Sequence, residues 1–226
     1  MRALAAIVWK DIVIELRNKE SISSMMMFGL LVVIVFGIAL PPSSTLEDSP
    51  DPSSGRAGVL WIAFSFASVI GLNRSLAMEL DNECLQGLLV SPVSRDGLYL
   101  AKVASNLAFM LIADCIILPV FFVSHGVHFD VKIFKIFGLA AIGSLGFSAV
   151  GTILSTIAAN TRMREVMLPI LQIPLTLPLV IAGYVATRVV LEESPQRITS
   201  LLGVLGGFTI VYLAVSYMVF EYAVEE

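Results

Sequence analysis

Charged residues are scarce in this sequence, and their scarcity excludes a soluble globule. Asp, Glu, Lys and Arg make up 14% of the 226 residues, whereas 57% are hydrophobic and the mean hydropathy is +0.90. Soluble domains carry about 25% charged residues, because their surfaces have to be covered with polar groups. The chain is therefore predicted to lie in a lipid bilayer.

Cysteine and histidine are rare, and a phosphate-binding glycine loop is absent. The sequence has two cysteines and two histidines. Cys84 and Cys115 are predicted at different membrane depths, so neither a disulfide framework nor a metal site is expected. No G-x-x-x-x-G-K-[ST] motif occurs, so the chain is not expected to hydrolyse ATP by itself. A net charge of −4 without a basic patch gives no sign of nucleic-acid binding.

The apolar residues form six continuous stretches. They do not alternate every second residue, as the strands of a membrane barrel do, and only helices or closed barrels satisfy the backbone in lipid. A hydrocarbon core about 30 Å thick needs roughly 20 residues per helix. The sequence therefore predicts an all-α, polytopic membrane protein, one transmembrane domain over residues 1–226. Its six transmembrane helices are expected at about 24–40, 57–73, 103–124, 136–159, 166–187 and 198–220.

Residues 1–20 predict an amphipathic helix that lies in the membrane interface, with Trp9 at headgroup depth. The helix either anchors the first span or acts as a lever between a cytoplasmic partner and the bundle. Its apolar face is Ala5, Val8, Trp9, Ile12, Val13 and Leu16, and Lys10, Asp11, Glu15, Arg17 and Asn18 lie on the other side.

Lysine and arginine predict the orientation, because short cytoplasmic loops carry an excess of them. With the N-terminus and the C-terminus both in the cytoplasm, the basic residues favour the cytoplasmic side by nine to five. The nine are Arg2, Lys10, Arg17, Lys19, Arg74, Arg95, Lys102, Arg162 and Arg164, and the five are Arg56, Lys132, Lys135, Arg188 and Arg197.

Residues 74–102 form the longest polar-to-amphipathic segment, and they are predicted to be a cytoplasmic coupling loop. A helix is expected up to Leu89, and Ser91-Pro92 breaks it, because the residue before proline avoids the helical region. A second helix is expected to start at Ser94 and to lead into the third span. A short helix presented in this way can insert into a groove of a soluble subunit and transmit its motion.

The sequence of this segment resembles a known family. The run NECLQGLLVSPVSRDGLYLAK, from Asn82 to Lys102, is similar to the coupling loop in the membrane subunits of ABC-2 exporters. The proline-rich run VMLPILQIPLTLPLVI, from Val166 to Ile181, looks like the fifth span of the heme exporter protein B (CcmB) family. The resemblance extends over nearly the whole chain. It assigns coupling to an ATPase to Glu83, Gly87, Leu88, Leu89, Pro92 and Arg95.

The resemblance also implies partners and a place in the cell. It implies a non-catalytic membrane subunit of the cytochrome c maturation ABC transporter, in the bacterial cytoplasmic (inner) membrane. ATP would be bound by a separate CcmA-like subunit, with a CcmC-like heme-handling membrane subunit and a CcmE-like periplasmic heme chaperone as further partners. No cofactor is expected on this chain, and heme is a possible substrate. Transport of heme and release of the loaded chaperone both remain open.

Two sets of polar residues are candidate functional positions in or beside the third span. Asp114 is charged and lies at the centre of the span, so it is expected to be neutral, to be paired or to face a cavity. It either hydrogen-bonds a polar group on another span or takes part in coupling or substrate contact. His125 and His128 lie at the outer end of the span, either as ordinary interface residues or as ligands of heme iron.

Prolines and small residues mark the next two spans. Pro169, Pro174 and Pro178 each remove a backbone donor from the fifth span, which is expected to kink, either for packing or as a gate. Small residues recur at every fourth position of the fourth span and predict close helix contact. They are Ala140, Ser144, Ser148, Thr152 and Thr156.

Two other classes of function remain as alternatives. An ABC-2 permease that exports lipid, polysaccharide or a drug would share the fold and the coupling loop. A membrane-embedded enzyme fits less well. A serine protease needs a base beside its nucleophile, and neither histidine lies deep enough, while a heme lyase would favour a tryptophan-rich outer loop and Trp9 and Trp61 lie elsewhere.

Overall fold

A computed structural model describes residues 2–39, 52–81, 95–127, 130–159, 164–192 and 198–223. Nearly every residue in these ranges is helical. The seven helices that they contain are α1 Arg2–Asn18, α2 Glu20–Ala39, α3 Pro52–Asp81, α4 Arg95–Ser124, α5 Lys132–Ala159, α6 Arg164–Leu191 and α7 Ile198–Ala223.

Helices α2 to α7 each contain a stretch long and apolar enough to cross a bilayer. The stretches are 20 to 28 residues long in the described part of the chain, and a rise of about 1.5 Å per residue makes each of them about 30 Å or more. The predicted all-α fold with six transmembrane helices is therefore confirmed. The chain is a multi-pass membrane protein.

The six long helices do not contribute equally to the interior. About 61% of the apolar stretch of α3 is buried inside the protein, against 17% for α7. Helix α3 packs against α2, α4, α5 and α6, so it lies at the centre and α7 at the edge. The largest fully buried side chains include Trp61, Phe64, Phe121 and Phe147, which belong to one apolar core.

Trp61 joins three helices at the centre of this core. Its indole nitrogen donates a 2.9 Å hydrogen bond to the Thr187 hydroxyl on α6. The ring lies against Gly143 of α5 and Gly183 of α6, where a Cβ at either glycine would overlap it. Phe64 contacts the indole edge to face, with the ring centroids 5.7 Å apart. Small residues thus create the space in which α3, α5 and α6 approach one another.

A second apolar cluster connects α1 to the bundle. It joins Ile7 of α1 and Tyr99 of α4 to Ile153 of α5 and Phe220 of α7. The Tyr99 hydroxyl donates a 3.3 Å hydrogen bond to the carbonyl oxygen of Ala149, so the buried phenol keeps a polar partner. This cluster lies at the end of the bundle where α4 begins.

Four of the six residues of the apolar face that the sequence predicts for α1 are exposed, and the other two pack against the apolar clusters. Trp9 is 70% exposed and Leu16 is 52% exposed. The opposite face packs on the protein through Ile7, Asp11 and Glu15, at a spacing of four residues. The outward apolar face suits contact with lipid, and the interfacial position of α1 stays a prediction.

Candidate functional site

A seam of polar side chains joins α4 to α5 inside the bundle. Asn106 Nδ2 donates to Thr152 Oγ1 at 2.9 Å, and Ser144 Oγ donates to Asp114 Oδ2 at 2.6 Å. The two pairs lie eight residues apart on each helix, so antiparallel packing brings both into register about 12 Å apart. The small-residue stripe of α5 thus supplies hydrogen bonds as well as space.

Asp114 is buried in this seam and only 3% exposed. Its partner Ser144 is 1% exposed. The sequence leaves two roles open for Asp114, and the structure contains the first of them, a hydrogen bond to a polar group on another span. Contact of Asp114 with a substrate stays a prediction.

Asn106 belongs to the same seam, and sequence reasoning missed it. Besides its bond to Thr152, its amide oxygen accepts a 3.4 Å hydrogen bond from Ser75 on α3. One side chain therefore links α3, α4 and α5. The sequence does contain a signal for Asn106. It lies eight residues before Asp114, and residues at multiples of four share roughly one helix face.

Asp11 of α1 makes a second buried polar contact with α4. Its Oδ2 atom accepts a hydrogen bond from Lys102 Nζ at 3.2 Å. Ser105 Oγ lies 3.1 Å from the same oxygen and shares its one hydrogen between it and the carbonyl oxygen of Ala101 at 3.0 Å. The side chains of Lys102 and Asp11 are 8% and 11% exposed, so solvent screens this ion pair little. Lys10 contacts the other oxygen of Asp11 at 2.9 Å from a more exposed position.

His125 follows directly after α4 and is 5% exposed. Its Nδ1 lies 3.2 Å from the carbonyl oxygen of Phe121 and 2.9 Å from Ser124 Oγ. A carbonyl only accepts, so it favours the tautomer with the proton on Nδ1 and a lone pair on Nε2. Nε2 has no hydrogen-bond partner among the described residues. Burial lowers the pKa of His125, the Phe121 carbonyl opposes this shift, and the charge of Arg56 adds to it.

This chain is similar to known proteins over most of its length. The model of the family described as CcmB protein matches residues 2–226. The chain belongs to the CcmB family. A curated relative, heme exporter protein B of Pseudomonas aeruginosa, is 22% identical over 181 residues, which are 80% of this chain and 78% of the relative. The resemblance read from the coupling loop and the proline-rich span is therefore confirmed.

The proline-rich helix that suggested the CcmB family is continuous in the structure. Helix α6 runs through Pro169, Pro174 and Pro178. The Tyr212 hydroxyl on α7 donates a 2.6 Å hydrogen bond to the Leu175 carbonyl, next to Pro174. This bond attaches α7 to the proline-rich part of α6. Gating by these prolines stays a prediction.

Gln172 lies within the same proline-rich part of this CcmB-family chain, and sequence reasoning missed it. It is fully buried, and its Nε2 donates to Ser68 Oγ on α3 at 3.3 Å. Its Oε1 has no hydrogen-bond partner among the described residues. The contact shows which face of α6 meets α3.

Most of the residues that the family resemblance assigns to coupling lie outside the described ranges. Helix α3 ends at Asp81 and α4 begins at Arg95, so the structure describes residues 74–81 and 95–102 of the predicted coupling loop as parts of these helices. The residues outside the described ranges are Glu83, Gly87, Leu88, Leu89 and Pro92, and also His128, and for Arg95 only the backbone is described.

Proposed function

We propose that this chain is the membrane subunit of an ABC transporter for cytochrome c maturation. It would couple ATP hydrolysis on a separate subunit to export of heme, or to release of a heme-loaded chaperone. The observation that carries the proposal is the match to the CcmB family over residues 2–226. The relative named heme exporter protein B supports heme as the molecule handled.

The sequence and the helices on either side of residues 82–94 support a division of labour between this chain and a separate ATPase. The sequence has no phosphate-binding loop for ATP, so a CcmA-like subunit would supply hydrolysis. That subunit would dock on residues 82–94, between two helices of 30 residues each. A displacement of the docked segment would then reach the bundle centre through α3 and the polar seam through α4, because packed helices move as rigid bodies.

The remaining partners would act in the membrane and on its outer side. A CcmC-like subunit would bind beside the bundle, and a CcmE-like chaperone would receive heme on the periplasmic side of the bacterial inner membrane. This arrangement requires the N-terminus and the C-terminus to be cytoplasmic. In the spans we propose Asp114 and the prolines Pro169, Pro174 and Pro178 as positions at which function is sensitive to substitution.

Purification of the chain with its co-expressed genomic neighbours tests the proposal. Co-elution of an ATPase and a heme-handling membrane protein, with a heme absorbance spectrum, is the expected result. A variant that lacks residues 82–94 is the matched control, and it should lose the ATPase and keep the membrane partner. An ATPase without heme and without a heme protein would support a permease for lipid or polysaccharide instead. Elution without any ATPase would contradict the transporter assignment.

A further inference from the structure

We infer that Asp11 is a positioning residue for coupling, because its carboxylate fixes the beginning of α4 to the N-terminal helix α1. The inference rests on the proposed function, since α4 begins directly after the segment that would dock the ATPase. It adds a role for a residue on α1, which neither the coupling loop nor the spans contain.

The contact between Asp11 and α4 is buried and involves two donor side chains. Lys102 and Ser105 are three residues apart, so they lie on one face of α4. Lys102 donates to one oxygen of Asp11, and Ser105 shares its hydroxyl hydrogen between that oxygen and its own helix. The side chains of Lys102 and Asp11 are about nine-tenths buried. A buried charge that loses its partner is strongly unfavourable. The pair therefore resists any movement that separates α1 from the start of α4.

The junction between α1 and α2 is held as well. Lys19 separates the two helices with a positive φ of 57°, and Glu15 on α1 accepts a 2.8 Å hydrogen bond from the backbone nitrogen of Ile22. That bond satisfies one of the amides left free at the beginning of α2. Helices α1 and α2 are thus linked to each other across Lys19.

The same pair of helices also contacts α3, on the other side of residues 82–94. Glu20, the first residue of α2, pairs with Arg74 near the end of α3. This second pair is about half exposed, so it contributes much less than the Asp11 pair. Both helices that border residues 82–94 are therefore attached to α1 and α2, and of the two ion pairs the buried one is the one to α4.

The apolar face of α1 explains why this attachment would affect coupling. Trp9, Val13 and Leu16 are exposed on the side away from the bundle, where lipid would hold α1 in the interface plane. If lipid holds α1 in place, movement of residues 82–94 would rotate α4 about its contact with Asp11. Without Asp11, the same movement of residues 82–94 would rotate α4 less. Each ATP hydrolysed would then yield less mature cytochrome c.

The experiment compares variants in the complete, co-expressed complex. Asp11→Ala removes both hydrogen bonds, Asp11→Asn keeps the shape without the charge, and Lys10→Ala is the matched control that removes only the exposed partner. The readouts are the amount of mature cytochrome c formed per ATP hydrolysed, the amount of ATPase bound and the thermal stability. Asp11→Ala is expected to keep its ATPase and to lower the yield per ATP about tenfold, a typical coupling effect, and Lys10→Ala should not.

Several results separate this inference from a merely structural role. Asp11→Asn should restore part of the yield per ATP, and Ser105→Ala, which removes one donor and no charge, should lower the yield even if Asp11→Ala folds poorly. An unchanged yield per ATP in Asp11→Ala and Ser105→Ala would overturn the inference alone. A fall that only follows the amount of folded protein would overturn it too. A wild-type complex without an ATPase would overturn the proposed function and this inference together.

Discussion

Ser144 donates a 2.6 Å hydrogen bond to Asp114 across the interface of α4 and α5, and both side chains are buried. The pair is one of two polar pairs in the same antiparallel register, the other being Asn106 with Thr152. Hydrogen bonds between membrane helices contribute about 0.6 to 2 kcal/mol each. The seam therefore adds to the stability of the bundle and fixes how α4 and α5 are aligned.

Asp114→Asn should be tolerated better than Asp114→Leu. Asparagine keeps an oxygen that can accept from Ser144, whereas leucine leaves the hydroxyl without that acceptor and should cost about 1 kcal/mol. Thermal unfolding in detergent measures the difference, and Cys115→Leu, at the exposed neighbouring position, is the control. Equal loss of cytochrome c maturation in both Asp114 variants would instead assign a role to the charge.

Gly183→Ala should destabilise the bundle, because its new methyl group would overlap the buried indole of Trp61. Overpacking of this kind typically costs about 1–3 kcal/mol. Gly207→Ala on α7 is the matched control, since no described atom outside its own helix lies within 4 Å of the new Cβ, and it should be neutral or slightly stabilising. Equal melting temperatures of the two variants would show that the indole can move aside.

The stability of the protein should fall as the pH drops below about 6.5, the ordinary pKa of histidine. Burial lowers the pKa of His125 in the folded protein, so below that pH the unfolded chain binds more protons than the folded one. The contribution of neutral His125 is thus present above the unfolded pKa and is lost as the pH falls through the folded pKa. His125→Phe should flatten the dependence of the melting temperature on pH, and His128→Gln is the control. Parallel curves for wild type and His125→Phe would contradict this prediction.

A charge at Gly87 or Leu88 should uncouple the ATPase and leave the bundle folded. If residues 82–94 insert into a groove, a charged residue in the contact should cost about 2 kcal/mol or more, which is about thirtyfold in affinity. ATPase binding and cytochrome c maturation measure the effect of Gly87→Asp and Leu88→Lys. Val131→Lys, at an exposed position between α4 and α5, is the control. Normal maturation in both variants would count against the docking segment.

Replacement of His125 and His128 together by alanine should leave cytochrome c maturation largely intact. Nε2 of His125 is buried against the protein, whereas an axial ligand has to present its nitrogen to the iron. Maturation in cells that depend on this chain is the measurement, and protein levels in the membrane provide the control. A complete block at normal protein levels would assign a heme ligand to this end of α4.

The secondary structure could be predicted because lipid leaves the backbone few alternatives. Each apolar stretch must satisfy its own amides within the hydrocarbon, so the segments around Trp61 and Pro174 are helical despite a bulky aromatic residue and three prolines. Helix α4 begins at Arg95, one residue after the helix start that the sequence predicts. The family could be recognised because the residues that carry the resemblance form two short continuous runs, 82–102 and 166–181.

The partners of the polar residues could not be predicted in this way. Asp114 is an evident candidate, because a charge in an apolar span is unusual. Asn106 and Gln172 have no such signal, and the sequence places Asp11 only on the polar face of α1. Their importance comes from what they meet: Lys102 is 91 positions from Asp11, and Ser68 is 104 positions from Gln172.

The sequence by itself thus determined that the chain is a membrane protein with six helical spans and which family it resembles, because hydropathy and short motifs act locally. Only the tertiary structure decided that α1 turns Asp11 towards Lys102, that Ser144 meets Asp114 and that Trp61 fits between Gly143 and Gly183. Those contacts depend on how each helix is rotated and shifted against its neighbours. That arrangement is set by the packing of all the helices together.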